Sequence, residues 1–266
     1  MADQYTRTRR LLGQNALDAL RGAHVAVFGI GGVGGQAAEV LARSGVGTLT
    51  LVDSDTVALS NLNRQIVALH STVGQYKVDV MAARIRDIDP AITVHPVRLF
   101  YHPDTVAALP LTAFSYVVDC IDTVTAKLLL AEQCRAAGVP VLSCMGAANK
   151  LDPTAFRVAD IFETSGCPLA RIVRAQCRKR GIDRLKVIYS TETALAPLDD
   201  PGDAENREQP AGSRRTVPAS NAFVPAAEGL LAGAETVKDL LRAAGALRTE
   251  TNAERALAPA AKPTQR

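Results

Sequence analysis

Gly29-Ile30-Gly31-Gly32-Val33-Gly34 fits G-x-G-x-x-G directly after a short β-branched run, His24–Ile30, and just ahead of a helix-like stretch, Ala37–Ala42. Glycines there permit a tight turn and let backbone N–H groups approach phosphates, which sit at the helix N-terminus. Asp53 follows the next strand, Leu49–Val52, roughly 20 residues on, where a carboxylate accepts ribose hydroxyl hydrogens. Strand, glycine loop, helix, strand and Asp in that order predict a nucleotide site. The motif serves NAD as readily as ATP.

The following segment separates the two. Asp53-Ser54-Asp55 leads into Asn61-Leu62-Asn63-Arg64-Gln65, and Lys77 opens a helix. A dinucleotide diphosphate is held by glycine backbone and helix dipole and needs no extra cations. A triphosphate attacked at its α-phosphorus builds negative charge and expels pyrophosphate, so Arg and Lys aimed there suit that chemistry. Asp122, in Val117-Val118-Asp119-Cys120-Ile121-Asp122, falls just past the carboxyl end of a strand, where open α/β sheets bind ligands. A carboxylate at that place can hold Mg²⁺. Each residue also has a plainer reading. Arg64 and Lys77 serve equally as solvated charges, Asp122 as the cap of a helix starting near Val124, and Asp55 as a turn residue.

These residues need a scaffold, and the pattern around them supplies one. Val78, Met81, Ile85 and Ile88 recur at helical spacing in Lys77–Ile88. Thr93–Val97, Tyr116–Ile121 and Val139–Cys144 read as further strands, with a helix over Val124–Ala137. Strand and helix alternate through short connections, which predicts an α/β, Rossmann-like fold: a mostly parallel sheet with helices on both faces. Beyond Asp152 the alternation weakens into a C-terminal extension of strands and helix: Pro168–Arg180 (helix), Lys186–Ser190 (strand) and Pro225–Arg242 (amphipathic helix, apolar at Ala227, Leu230, Leu231, Ala234, Val237 and Leu241). One domain is expected over residues 1–244, with a flexible loop over 198–216, rich in Asp, Pro, Gly and Glu, and a disordered tail over 245–266.

The bulk properties fit a soluble enzyme. The chain has 266 residues, 47% hydrophobic and 21% charged, with net charge +3, so any nucleic-acid surface must come from local clustering. No apolar stretch follows the N-terminal Met-Ala-Asp-Gln-Tyr-Thr-Arg-Thr-Arg-Arg, and Phe223–Leu241, the most apolar run, is punctuated by Glu228, Glu235, Lys238 and Asp239. No secretory leader and no membrane span are expected, and the expected location is the cytoplasm. Five cysteines without a C-x-x-C pair argue against a four-cysteine zinc site and for free thiols.

Val27–Gly34, Leu51–Val57, Leu59–Gln65, Val73–Lys77 and Asp119–Asp122 together resemble the adenylation domain shared by molybdopterin-synthase and thiamine-pathway adenylyltransferases and ubiquitin-activating enzymes. The resemblance covers roughly residues 5–150 and implies ATP and Mg²⁺. By it Asp53 binds the ribose, Asn61, Arg64 and Lys77 contact the phosphates, and Asp122 holds the metal. Arg7 matches an arginine offered across a homodimer interface to the partner's ATP. The family's sulfur-carrier branches leave a sulfur-mobilising protein open as a further partner.

Members differ in what attacks the acyl-adenylate. This chain lacks the zinc motifs frequent in protein-activating members. Cys177 falls inside a helix and reads as packing. Cys167, in an expected loop, is a candidate nucleophile, but a loop cysteine without a nearby His is usually inert. Arg7–Gly13, Gly146–Pro153, Cys167–Arg171, Val187–Glu192 and Ala222–Pro225 are similar to the branch that dehydrates threonylcarbamoyladenosine in tRNA, which extends the resemblance to roughly residues 5–242. That branch implies adenylation of the substrate carboxylate and intramolecular closure by the neighbouring ureido group, with no cysteine required. Arg171, Arg174 and Arg178 share one face of the Pro168–Arg180 helix, followed by Lys179, Arg180, Arg184 and Lys186, a stripe able to meet tRNA phosphates or simply to be solvated. The competing reading is an adenylyltransferase for the C-terminal glycine of a ubiquitin-like or sulfur-carrier protein. An NAD oxidoreductase lacks a visible hydride-transfer set, and a non-catalytic ATP sensor would not need Arg64, Lys77 and Asp122 together.

Overall fold

Val25 and Val27 face one apolar core and Ala26 and Phe28 another, so the first strand, β1 (His24–Phe28), is buried on both sides. A continuous apolar run rather than an alternating one is what a sheet covered on two faces requires. In the computed structural model, which describes residues 3–198 and 218–249, six further strands complete the sheet. They are β2 (Thr48–Val52), β3 (Thr93–Val97), β4 (Tyr116–Asp119), β5 (Val141–Cys144), β6 (Phe156–Asp160) and β7 (Lys186–Ser190). Their order is β3-β2-β1-β4-β5-β7-β6, with every pairing parallel except β6 with β7. The chain winds outward from β1 to β3, then returns to lay β4 against the other side of β1. Strand order reverses there, and the crevice between β1 and β4 is where such sheets take ligands.

The helices are α1 (Thr6–Leu12), α2 (Gln14–Arg21), α3 (Gly34–Ser44), α4 (Lys77–Ile88), α5 (Val124–Ala137), α6 (Pro168–Lys179) and α7 (Val224–Ala243). Leu41 of α3 and Met81 and Ile85 of α4 are fully buried beneath β1 and β2. Each such side chain stabilises the fold by about 1.5–3 kcal/mol. Leu130 and Cys134 of α5 close the opposite face. Helix α1 is pinned at Tyr5, whose hydroxyl donates to Asp89 Oδ2 (2.8 Å) just past α4, where Arg21 also pairs (2.8 Å).

Three features depart from the sequence reading. Strand β6 was not expected: it runs antiparallel to β7 from Phe156↔Ser190 to Asp160↔Lys186. Helices α1 and α2 were not expected either, although Ala16, Leu17 and Leu20 of α2 fall on one buried face. In α7 the expected Val237 and Leu241 are buried, joined by Val224, Gly229, Ala232 and Gly233 together with Glu228 and Glu235, while the expected Leu230 is left 51% exposed. The expected loop over 198–216, apart from Leu198, and residues 250–266 of the expected tail lie outside the described residues. Among the described residues no helix is long and apolar enough to cross a membrane, and all five cysteines are free thiols.

Candidate active site

The carboxyl ends of β2, β1, β4 and β5 open into a single cleft of about 780 Å³. At its centre Gly29 turns the chain with φ 85°, and a Cβ there would lie 2.7 Å from the Cys120 carbonyl oxygen. Only glycine meets both conditions. At Gly34 a Cβ would overlap the Gly29 carbonyl oxygen. Gly34 therefore sits behind the cleft and lets α3 start directly on the turn, whereas Gly29, Gly31 and Gly32 line it.

Asp53 ties the turn to the end of β2. Its Oδ2 accepts from the Ile30 amide (2.7 Å) and its Oδ1 from the Asp55 amide (2.8 Å). Burial raises its pKa, opposed by the charge of Lys77 and by those two amides. Lys77, 6% exposed at the start of α4, pairs through Nζ with Asp55 Oδ2 at 2.7 Å. Arg64 donates through Nη1 to the Ser60 carbonyl (2.9 Å) and to Asn63 Oδ1 (2.8 Å), both uncharged. Its pKa is lowered by burial alone, so a half-buried guanidinium without a carboxylate partner borders the cleft. Asn61 is buried and its Oδ1 accepts from the Ala58 amide (3.1 Å). It shapes the loop that carries Arg64 rather than lining the cleft.

Beyond β4 a buried ion pair orders the chain. Lys127 Nζ reaches Asp119 Oδ2 at 3.1 Å, and Ser143 Oγ donates to the same oxygen at 2.5 Å. Burial alone would depress the Lys127 pKa, but the Asp119 carboxylate holds it above the ordinary value. Asp119 Oδ1 accepts from the Ile121 amide (3.0 Å), setting the turn that presents Asp122. Asp122 is exposed to the cleft, and its Oδ1 accepts only from the Thr123 hydroxyl (3.2 Å). The helix cap is Thr123, so the capping reading of Asp122 finds no hydrogen bond to carry it. Among the described residues no three His, Cys, Asp or Glu gather as a metal cage. A lone accessible carboxylate fits Mg²⁺, which is held by one or two carboxylates with substrate phosphates and water supplying the rest.

The other half of the cleft is formed by the segment after β5 and the start of α6. Gly146 donates its N–H to Glu228 Oε1 (3.1 Å) and receives Lys150 Nζ on its carbonyl (3.2 Å). Asn149 exchanges two 2.8 Å bonds with Ala219, and Asn221 Nδ2 donates to the Lys150 carbonyl (2.7 Å). Glu192, beyond β7, accepts from the Leu151 and Asp152 amides, both at 2.9 Å. Gly146–Lys150 and Cys167–Leu169 line this end, Glu192 braces the loop behind it, and Pro225 lies against Gly32 of the nucleotide loop. Cys167, 4% exposed, is the N-cap of α6, its Sγ accepting from Ala170 N at 3.5 Å, which is a structural duty for a thiol first read as lying in a loop. Cys177 is buried in the core beside α5, its pKa pushed up to about 11 by burial.

Three buried side-chain atoms among the described residues lack a partner: Gln65 Oε1, Tyr101 OH and Glu228 Oε2. Gln65 and Tyr101 line the cleft and Glu228 backs it. Unpaired buried polar atoms are rare, and their gathering here suits a site finished by a ligand. Arg7 is exposed on α1, outside its own chain's cleft. The α6 stripe is partly committed to the fold. Arg174 donates to the Thr164 carbonyl (2.6 Å) and hydroxyl (2.7 Å), and Arg178 lies over the Phe162 ring at 5.5 Å. Arg171, Arg178 and Lys179 remain exposed.

Residues 5–264 match the model of the ThiF family. The chain belongs to the ThiF family. Among ThiF-family relatives it is 44% identical over 244 residues to the tRNA threonylcarbamoyladenosine dehydratase of Bacillus subtilis, covering 91% of this chain and 96% of that protein. It is 42% identical over 204 residues to the dehydratase of Escherichia coli, with 73% and 75% covered. The solved structure of E. coli tRNA N6-threonylcarbamoyladenosine dehydratase in complex with ATP matches with a TM-score of 0.79 at 35% identity, over 91% of this chain and 95% of that one.

Four residues of this ThiF-family cleft escaped the sequence reading: Gln65, Tyr101, Lys150 and Glu228. Gln65 and Lys150 stood inside quoted motifs without an assigned role, and Glu228 read only as a charge interrupting an apolar run. Nothing in local spacing marks a charged side chain that the tertiary fold will bury.

Proposed function

We propose that this ThiF-family chain is an ATP-dependent tRNA threonylcarbamoyladenosine dehydratase that adenylates the side-chain carboxylate of the nucleoside beside the anticodon and closes it into a ring. One observation carries the reading: the cleft has two joined ends, a nucleotide end at β2, β1 and β4, and a second end built from the segments that resemble the dehydratase branch. The likeness to the Bacillus protein, which spans 96% of that protein's length, supports the same conclusion.

In the first step a carboxylate oxygen of the substrate attacks the α-phosphorus of ATP and pyrophosphate leaves. In the second the ureido group attacks the acyl carbon, loses a proton and expels AMP, which carries away the carboxylate oxygen. The net loss from the nucleoside is one water. Attacker and electrophile belong to one substrate, so positioning supplies much of the rate.

In this reading Gly29, Gly31 and Gly32 and the N-terminus of α3 receive the phosphates, and Asp53 the ribose. Arg64 and Lys77 offset the charge that develops as pyrophosphate departs. Asp122 would hold Mg²⁺, which supplies charge neutralisation at the phosphates. Two chains form a homodimer in which Arg7 of one serves the ATP of the other. The exposed Arg171, Arg178 and Lys179 contact tRNA phosphates, and the enzyme works in the cytoplasm, where its substrate is. A sulfur-mobilising protein is a further candidate partner, although the dehydration itself consumes no sulfur.

Exchange of labelled pyrophosphate into ATP tests the assignment. Stimulation by threonylcarbamoylated tRNA, and not by tRNA lacking the modification, is the expected result. Exchange that depends instead on a carrier protein ending in glycine would move the chain to the protein-activating branch.

A further inference from the structure

The second end of the cleft carries a full positive charge that the nucleotide end does not use. Lys150 lines the cleft and is only 5% exposed, and its Nζ donates to the Gly146 carbonyl, an uncharged acceptor, at 3.2 Å. It joins none of the lysine ion pairs of the described residues, which involve Lys77, Lys127, Lys186 and Lys238. A buried ammonium whose hydrogen-bond acceptor is neutral is unfavourable unless an anion completes it.

No acid among the described residues comes within ion-pairing distance of Lys150. Glu228 holds the other side of the same glycine, its Oε1 accepting the Gly146 N–H at 3.1 Å while Oε2 is buried without a partner. Burial keeps its carboxyl well above the ordinary range, against the charges of Lys127 and Lys150. The N-terminus of α6, through Pro168 and Leu169, faces the same end of the cleft and adds partial positive charge.

Resting on the dehydratase reading, we infer that Lys150 binds the carboxylate that is to be adenylated. That carboxylate must approach a triphosphate that is itself strongly negative. Arg64 and Lys77 come from the segments after β2 and serve the phosphates, while Lys150 approaches from the β5 side. The Gly146 peptide, gripped at its N–H by Glu228 and at its carbonyl by Lys150, fixes where the ammonium stands. Lys150 thereby selects modified tRNA by the charge of its side chain, separately from the contacts that hold the tRNA backbone.

The test uses the full chain with Lys150→Met and Lys150→Arg. Affinities for ATP, for threonylcarbamoylated tRNA and for the same tRNA without the modification are measured alongside kcat and KM. A charge-assisted hydrogen bond lost at a buried site corresponds to about tenfold or more in affinity. Lys150→Met should raise KM for modified tRNA by about that factor and abolish the preference for modified over unmodified tRNA. ATP affinity should stay as in the parent, and Lys150→Arg should recover most of the preference. If the Met variant does not fold, the parent is instead offered modified tRNA whose carboxylate is blocked as an amide, which should bind no better than unmodified tRNA. A Met variant with parental KM and preference, loss of ATP affinity in step with KM, or unimpaired binding of the amide would each overturn the inference. A parent chain that leaves modified tRNA unchanged defeats the dehydratase reading itself. In that case the same KM comparison with a carrier protein decides whether Lys150 receives its terminal carboxylate.

Discussion

Glu228 is wholly buried in the second turn of α7, and the fold bears the cost of ionising it. Burial pushes its carboxyl up to about 7, opposed by Lys127 of α5, the Gly146 amide and Lys150. In the unfolded chain it titrates from its ordinary value of 4.5. Its folded pKa thus lies above the unfolded one, so its contribution is full below about pH 4.5 and is lost as pH rises through about 7. A separation of that size corresponds to about 3 kcal/mol. Glu228→Gln keeps a carbonyl oxygen for Gly146 and removes the titration. Denaturant unfolding at about pH 4 and about pH 8 should show the variant close to the parent at the lower value and more stable by roughly 3 kcal/mol at the higher one. Parallel stability profiles would mean that Glu228 ionises at no cost in the fold.

Helix α6 sorts its basic residues into two kinds. Arg174 is spent on Thr164, and Arg171 and Lys179 stand free in solvent on the side away from the buried Val173 and Cys177. If the exposed pair meets tRNA backbone, Arg171→Ala and Lys179→Ala should each weaken binding and reduce the slope of log K against log salt by about 1. Arg174→Ala should leave that slope alone and cost stability, about 1.5–3 kcal/mol for the lost charged hydrogen bonds. Equal slopes for all three variants and the parent would remove α6 from the tRNA surface. The helix itself was legible from spacing, as were α4, α5, β3 and β7, because each presents a regular face or a short β-branched run. Strand β6 was not: it is an edge strand in which only Phe156 is buried, and Asp160 serves to cap the following turn rather than to alternate. The nucleotide end of the cleft was legible because Gly29, Gly31, Asp53, Arg64, Lys77 and Asp122 lie in contiguous motifs. The second end was not, because Lys150, Glu192 and Glu228 meet only once β5, β7 and α7 have packed.

At the scale of the molecule, the sheet places a nucleotide end and a substrate end side by side on one edge, while Arg7 lies outside that cleft on α1. The proposed homodimer gives that arginine its role at the partner's ATP. Arg7→Ala and Arg64→Ala should each be inactive in adenylation alone. Mixing the two with exchange of subunits should restore about a quarter of parental activity, since half of the dimers then hold one complete site of two. No recovery on mixing, or full activity of Arg7→Ala alone, would remove the arginine from the site.

The dehydratase assignment itself is tested most directly by incubating the purified chain with ATP, Mg²⁺ and threonylcarbamoylated tRNA, digesting under mild conditions that protect the ring, and weighing the nucleoside. The account predicts that the modified adenosine loses the mass of one water, only when ATP is present, with one AMP released per ring closed. An unchanged nucleoside mass, with ATP consumed only when a carrier protein is added, would contradict it.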